Sequence, residues 1–202
     1  MINLIDKSRP LIICIVGESA SGKTRIEKYI GEAYGIDLIK SYTERAKRPG
    51  ELADEKAGKP LCHKFLSKCE FDAIDPFDMI AYTKFGDYRY CCVKDDVMPL
   101  NTYVIDESGV NILKKNFGHK YDIVTIRITC PEHIRLERSG DQARIDRDKD
   151  MFTFDLSEFD YVVDSSVGLR ATKNMADAII QHILKGKTDF VPFADYNYKA
   201  EY

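Results

Sequence analysis

Gly17-Glu18-Ser19-Ala20-Ser21-Gly22-Lys23-Thr24 satisfies G-x-x-x-x-G-K-[ST] at every required position. The chemistry that needs this pattern is the cradling of a triphosphate. Glycines permit the tight turns that aim successive backbone N–H groups at phosphate oxygens, and a helix beginning at the loop adds its positive dipole end. The spacing assigns Lys23 to the β- and γ-phosphates of ATP and the Thr24 hydroxyl to Mg²⁺, with Gly17, Glu18, Ser19, Ala20, Ser21 and Gly22 forming the loop around them. The ordinary alternative is a glycine-containing strand-to-helix turn; from average residue frequencies the bare pattern arises by chance in roughly one chain of this length in a hundred. A GTPase would use the same loop, but the chain lacks an N-K-x-D segment, which Thr172-Lys173-Asn174 only approaches.

A second group of residues fits a second phosphate. Arg45 and Arg48 stand three apart with the Ser41 hydroxyl upstream, a set able to clamp a phosphate through bidentate, charge-assisted hydrogen bonds. Taken alone, the stretch also fits a solvated charge run. Cys62, His63 and Cys69 suggest zinc, but adjacent ligands without a second close pair match metal-site spacings poorly. The six cysteines contain no C-x-x-C pair, so reduced thiols are expected.

These groups need a scaffold, and the apolar runs describe one. Leu11 to Val16 (L-I-I-C-I-V) has no polar alternation, the pattern of a strand buried on both faces of a parallel sheet. Ile26, Tyr29, Ile30 and Ala33 recur at helical spacing from Thr24 to Tyr34, and Gly35 marks a stop. Thr102 to Ile105 reads as another strand, followed by a helix carrying Val110, Ile112 and Leu113 and closed near Gly118. Asp122 to Ile128 is a further strand, Pro131 falls in the first turn of the next helix, and Tyr161 to Val163 precedes a helix from about Ala171 to Leu184. The alternation predicts an α/β core with a parallel sheet and right-handed crossovers.

Two stretches break the rhythm. Ser41 to Pro99 has short alternating runs at Met79 to Thr83 and Tyr88 to Val93, with turn signals at Pro49-Gly50, Gly58 and Gly86-Asp87, and so predicts an inserted β-rich lobe. Ser139 to Asp150 is densely charged with almost no apolar residue, and predicts a mobile surface segment. The tail after Gly186 carries Phe190, Phe193, Tyr196 and Tyr198, and either packs back or frays.

With 202 residues, 44% hydrophobic, the chain suits one domain. Its net charge of −3 gives no basic field for a nucleic-acid polymer or an anionic membrane. The longest apolar run is far short of the ~20 residues that span a bilayer. No signal-peptide h-region is evident, so a cytoplasmic location is expected.

The order of the segments resembles the guanylate kinase family. Ser41 to Glu51, S-Y-T-E-R-A-K-R-P-G-E, is similar to that family's S-x-T-x-R-x-x-R-x-G-E and lies one strand after the P-loop helix. Lys64-Phe65-Leu66-Ser67 resembles a divergent Y-x-F-V-S, Val104 to Val110 resembles D-I-D-x-x-G-V, and Phe159-Asp160-Tyr161-Val162-Val163 matches F-D-Y-V-V. The likeness is collinear from about Leu11 to Ile183. It implies a nucleoside monophosphate kinase with a three-layer α/β P-loop NTPase core (1–40 and 100–185), an acceptor-binding lobe (41–99), a short lid (about 139–150) and a C-terminal tail (186–202).

The same resemblance implies site roles. Ser41, Arg45, Arg48, His63, Tyr88 and Asp106 would hold the acceptor, and Asp106 would also orient the hydrated Mg²⁺ bound at Thr24; its alternative is a helix N-terminal carboxylate. Arg138, Arg144 and Arg147 would join Lys23 around the transferring phosphoryl group. The implied ligands are ATP with Mg²⁺ and a small nucleoside monophosphate, GMP or dGMP first. Other (deoxy)nucleotides and a phosphorylated sugar are alternatives, as is a non-catalytic module that binds phosphorylated or acidic peptides. The chain departs from the pattern where bases are read: the family's phosphate-holding tyrosine falls at His63, and its base-reading glutamate at Ala81. The asparagine after the last strand falls at Asp164, and the lid is shorter than usual. Tyr88 or Tyr90 remains available for phosphate or base, or simply packs on a strand face.

Overall fold

Strand β1 (Leu11–Val16) is buried at every residue and stands in the middle of a five-stranded parallel sheet. The order is β2 (Asp37–Ile39), β7 (Leu100–Val104), β1, β8 (Asp122–Thr129) and β9 (Tyr161–Asp164). The computed structural model describes residues 9–149 and 151–185; the expectations for the aromatic tail, for residues 1–8 and for Asp150 lie outside the described residues.

The missing polar alternation in β1 has a direct cause. Leu11, Ile13 and Ile15 face one side, against Ile26 and Ile30 of α1 (Lys23–Tyr34) and Ala176, Ile180 and Ile183 of α7 (Leu169–Leu184). Ile12, Cys14 and Val16 face the other, with Tyr103 and with Val110 and Leu113 of α4 (Glu107–Phe117). A strand covered on both faces has no solvent side to supply with polar residues. Helix, sheet and helix give the three-layer α/β core that the sequence predicts.

Local punctuation agrees in most places. Gly22 precedes α1 at φ 97°, and Gly35 ends it at φ 65°, a left-handed conformation that side chains resist, with its N–H bonded to the Gly31 carbonyl at 3.0 Å. Gly118 closes α4 for a different reason: its φ is −62°, but a Cβ there would lie 2.5 Å from the Lys114 carbonyl oxygen. Pro131 is the N-cap of α5 (Glu132–Ser139), one residue ahead of its expected place.

Residues 41–99 form the β-rich insertion, a second sheet ordered β4 (His63–Phe65), β3 (Ser41–Thr43), β6 (Tyr88–Val93) and β5 (Met79–Phe85). Gly86 and Asp87 make the two-residue hairpin turn between β5 and β6, with Gly86 at φ 63°. Pro49-Gly50 is not a turn. It opens α2 (Pro49–Lys56), because proline loses nothing in a first helical turn and the Glu51 carboxylate accepts the Arg48 N–H at 2.7 Å.

The charged stretch expected to be a mobile surface segment is instead ordered helix. After α5 ends at Ser139, α6 (Gln142–Lys149) packs against the body of the protein with Ile145 and Asp148 fully buried. One isoleucine seats the helix and polar contacts do the rest, so apolar content misjudged it. Among the described residues no helix is long and apolar enough to cross a membrane.

Ile30 sits between α1 and the sheet with no exposed surface. Its truncation removes packed atoms from a site that collapses only in part. Ile30→Ala should lower unfolding free energy by about 2–5 kcal/mol, read as an earlier urea midpoint at unchanged slope.

Candidate functional site

In an open parallel sheet, ligands bind beyond the carboxyl ends of the strands where the order of connections reverses. Here that place is the end of β1, between β7 and β8, and the loop from Gly17 to Gly22 fills it. Gly17 runs so close to β8 that a Cβ would lie 2.4 Å from the Ile128 carbonyl oxygen. Lys23 turns its ammonium back onto the Glu18 carbonyl, at 2.7 Å. A cavity of about 740 Å³ opens over the loop and brings together residues far apart in sequence: Gly17, Lys23 and Thr24; Ser41, Arg45, Arg48 and His63; Asp106; and Arg138, Arg144 and Arg147.

Ser19 is where α6 meets the loop. Its N–H donates to the Asp148 carboxylate, while its hydroxyl accepts from Arg144 Nε at 2.9 Å and Arg147 Nη2 at 3.3 Å. Arg147 also bonds Asp148 Oδ1 at 2.8 Å and lies over the Phe85 ring of the inserted lobe, 4.4 Å from its centre. One helix therefore touches the phosphate loop and the lobe together. Arg138 lines the cavity and braces the loop, donating to the carbonyls of Ser165 at 2.8 Å and Ala20 at 3.3 Å.

On the lobe side, Arg45 is 5% exposed and forms a fork with Glu51, Nη2 to Oε1 at 2.6 Å and Nη1 to Oε2 at 2.7 Å. Burial alone would raise the Glu51 carboxyl, but the bonds from Arg45 and from the Arg48 N–H prevail and hold it at about 2. Burial, reinforced by Arg45, pushes the His63 imidazole down to about 4, so it is neutral at pH 7 and adds no cation to the clamp. Ligand atoms of Glu51, Cys62 and His63 lie within 4.8 Å of one another, yet both Glu51 oxygens are committed to Arg45, and the cluster serves the arginine better than a metal.

Arg48 and Arg144 line the same cleft, one from the lobe and one from α6, and burial first, then the Arg48 charge, lowers the Arg144 guanidinium from its ordinary range. Like charges held together in a part-buried cleft favour an anion between them.

Asp106 takes the place its alternative describes while still lining the cleft. Its Oδ1 accepts the Gly109 N–H at 2.7 Å as the N-cap of α4, and Oδ2 accepts the Thr83 hydroxyl at 3.0 Å. Ser41 shares a hydrogen bond of 3.0 Å with the Tyr103 hydroxyl. Tyr88 does not belong to the cleft: beside the hairpin turn it is 45% exposed, and Tyr90, two residues further along the same strand face, lines the cavity instead, edge-on to His63. Ala81 is buried in the core at a β5 irregularity, φ 52°, and does not line the cleft.

Several participants escape a sequence reading. Asp148, Phe85, Tyr103 and Arg127 belong to no loop pattern, although a charged residue inside the apolar run I-V-T-I-R-I-T is a usable signal for Arg127. Glu51 closed the arginine motif, and its role as the partner of Arg45 emerges only in three dimensions.

Neither a family model nor a curated protein matches the chain. Among solved structures it is similar to guanylate kinase from Anaplasma phagocytophilum, at 18% identity over 90% of this chain and 88% of that one, with a TM-score of 0.62. A gluconokinase from Sinorhizobium meliloti 1021 aligns at 15% identity over 87% of this chain and 94% of that one, TM-score 0.49. The first likeness shows the fold alone: the chain shares the three-layer α/β architecture of that structure.

Burial lowers the Lys23 ammonium to about 8, with Arg144 and Arg127 pushing the same way and Asp148 and Glu18 opposing. The charged form, which a triphosphate favours, is thus fully present below that value and lost above it. Affinity for metal-free ATP, measured by calorimetry, should be flat near pH 7 and weaken by up to about tenfold per pH unit above 8.

Proposed function

We propose that this chain transfers the γ-phosphoryl group of ATP to a small acceptor that already carries a phosphate, with a nucleoside monophosphate, GMP or dGMP first, as the acceptor that the resemblance favours. The observation that carries the reading is the gathering of Lys23, Arg48, Arg144 and Arg147 around one cleft that begins at an intact triphosphate loop. Cations drawn from the loop, the lobe and α6 to one cleft suit a donor and an acceptor phosphate held opposite each other.

In this mechanism the loop N–H groups and Lys23 hold the donor phosphates. Arg45, kept rigid by Glu51, and Arg48 hold the acceptor phosphate, and α6 acts as a lid that brings Arg144 and Arg147 over the group in transit. Arginine suits the task because its planar fork keeps its charge beside developing negative oxygens. Thr24 and Asp106 line the same cleft and offer the oxygen donors that a hard cation takes, Thr24 directly and Asp106 through water, so they are the residues that would hold Mg²⁺. The ion would neutralise charge on the β- and γ-phosphates. Seating α6 excludes water, which would otherwise take the phosphoryl group.

The inward-turned Ala81 supplies no hydrogen-bond acceptor to a guanine edge, so other nucleotides and phosphorylated sugars belong in the same assay. A peptide-binding module has no use for Lys23 and Thr24, which disfavours that rival. ADP release in a coupled assay across monophosphate acceptors tests the proposal. An active acceptor should show a turnover loss of about 10²–10³ in Lys23→Ala and a rise of tenfold or more in acceptor KM in Arg48→Met. If no acceptor stimulates ADP release and Lys23→Ala binds ATP as well as the parent, the enzyme reading falls.

A further inference from the structure

Arg127 is 5% exposed within β8 and belongs to none of the site roles assigned above. Its Nη2 lies 2.9 Å from Glu18 Oε1 and its Nη1 3.3 Å from Glu107 Oε1. The guanidinium carbon stands 5.0 Å from the centre of the Phe152 ring and 5.6 Å from that of Phe159. Glu107 Oε2 in turn accepts the N–H groups of Thr153 at 2.8 Å and Phe154 at 3.0 Å. Three segments thus converge on one cation: the second residue of the phosphate loop, the first residue of α4, and the chain returning from α6.

Stability alone is a poor account of this cluster. Arg127 Nε and Nη1, Glu18 Oε2 and Glu107 Oε1 are all buried without a hydrogen bond. Apolar side chains of similar shape commonly fill such a space with no loss of stability. What apolar residues would not do is hold Glu18 in one orientation. Glu18 faces two ways, its carboxylate toward Arg127 and its carbonyl accepting the Lys23 ammonium. Phe152 also faces two ways, toward Arg127 and into the phosphate cleft.

We propose that Arg127 is a positioning residue: by fixing Glu18 it aims Lys23 at the phosphates, and through Glu107 and Phe152 it ties that alignment to residues 152–154, so that phosphate in the loop and the seating of α6 are linked. The proposal rests on the reading of the cleft as a triphosphate site and is independent of the acceptor.

Because Arg127→Met alone would strand the Glu107 carboxylate, the test pairs it with Glu107→Gln, and works separately at the 22%-exposed Glu18 end with Glu18→Ala and Glu18→Gln. Calorimetry with Mg²⁺ and a non-hydrolysable ATP analogue gives affinity; hydrogen exchange with and without the analogue reads residues 142–149 and 153–154. Arg127→Met/Glu107→Gln and Glu18→Ala should each weaken binding about tenfold or more and lose the nucleotide-dependent slowing of exchange. Glu18→Gln keeps an oxygen for Arg127 and should recover most of both. If the double variant does not fold, the Glu18 pair decides. The proposal is overturned by a Glu18→Ala protein that binds within twofold of the parent and keeps the slowing, or by a parent protein whose exchange does not respond to bound nucleotide. A parent that binds no nucleotide would instead sink the triphosphate reading, and since neither readout uses an acceptor, failure of the acceptor assay leaves this test intact.

Discussion

Cations drawn from the phosphate loop, the inserted lobe and α6 crowd a single part-buried cleft, and in that setting their repulsion is weakly screened. Much of the surrounding structure answers this repulsion. Glu51 locks Arg45, Asp148 locks Arg147, Glu18 and Glu107 flank Arg127, and carbonyl oxygens of Ala20 and Ser165 take Arg138. The compensation is local and incomplete. Arg48 and Arg144 line the same cleft, and after burial the Arg48 charge is the next cause that lowers the Arg144 guanidinium.

Holding those charges in place requires rigid supports, and the sheet provides them. Because β1 is covered on both faces, its end cannot shift without disturbing two packed cores, so the loop that leaves it is held by the least deformable element of the molecule. The neighbouring strands deliver the other parts: β7 leads to Asp106, and β8 places Arg127 beside Glu18. The lobe is a separate sheet and contributes its arginines from the segment after β3, where Glu51 holds Arg45 and the Arg48 N–H.

Much of this was legible in the sequence because the relevant signals are local. The uninterrupted apolar run of β1, the helical spacing of Ile26 and Ile30 and the glycines at 17, 22 and 35 each report a conformation within a few residues. The contacts that complete the site are not local. Asp148 reaches Ser19 across more than a hundred residues, and Phe85 meets Arg147 only because a hairpin and a helix come together. α6 escaped for a related reason: a helix seated by a single isoleucine and a set of ionic contacts has the composition of a solvated strand of charge. Tyr88 and Tyr90 share a strand face, and sequence alternation alone does not tell which of them lies within the cleft and which beyond its rim.

The bond from the Ser19 N–H to Asp148 carries one further consequence. A phosphate oxygen that takes that N–H must first displace a carboxylate belonging to the protein itself. The chain then carries an internal competitor, tethered at high effective concentration to the loop it occupies. On the reading proposed above, apparent nucleotide affinity becomes the intrinsic affinity scaled by the fraction of molecules in which the Asp148 carboxylate has left the Ser19 N–H, so removing that carboxylate while α6 stays seated would tighten binding.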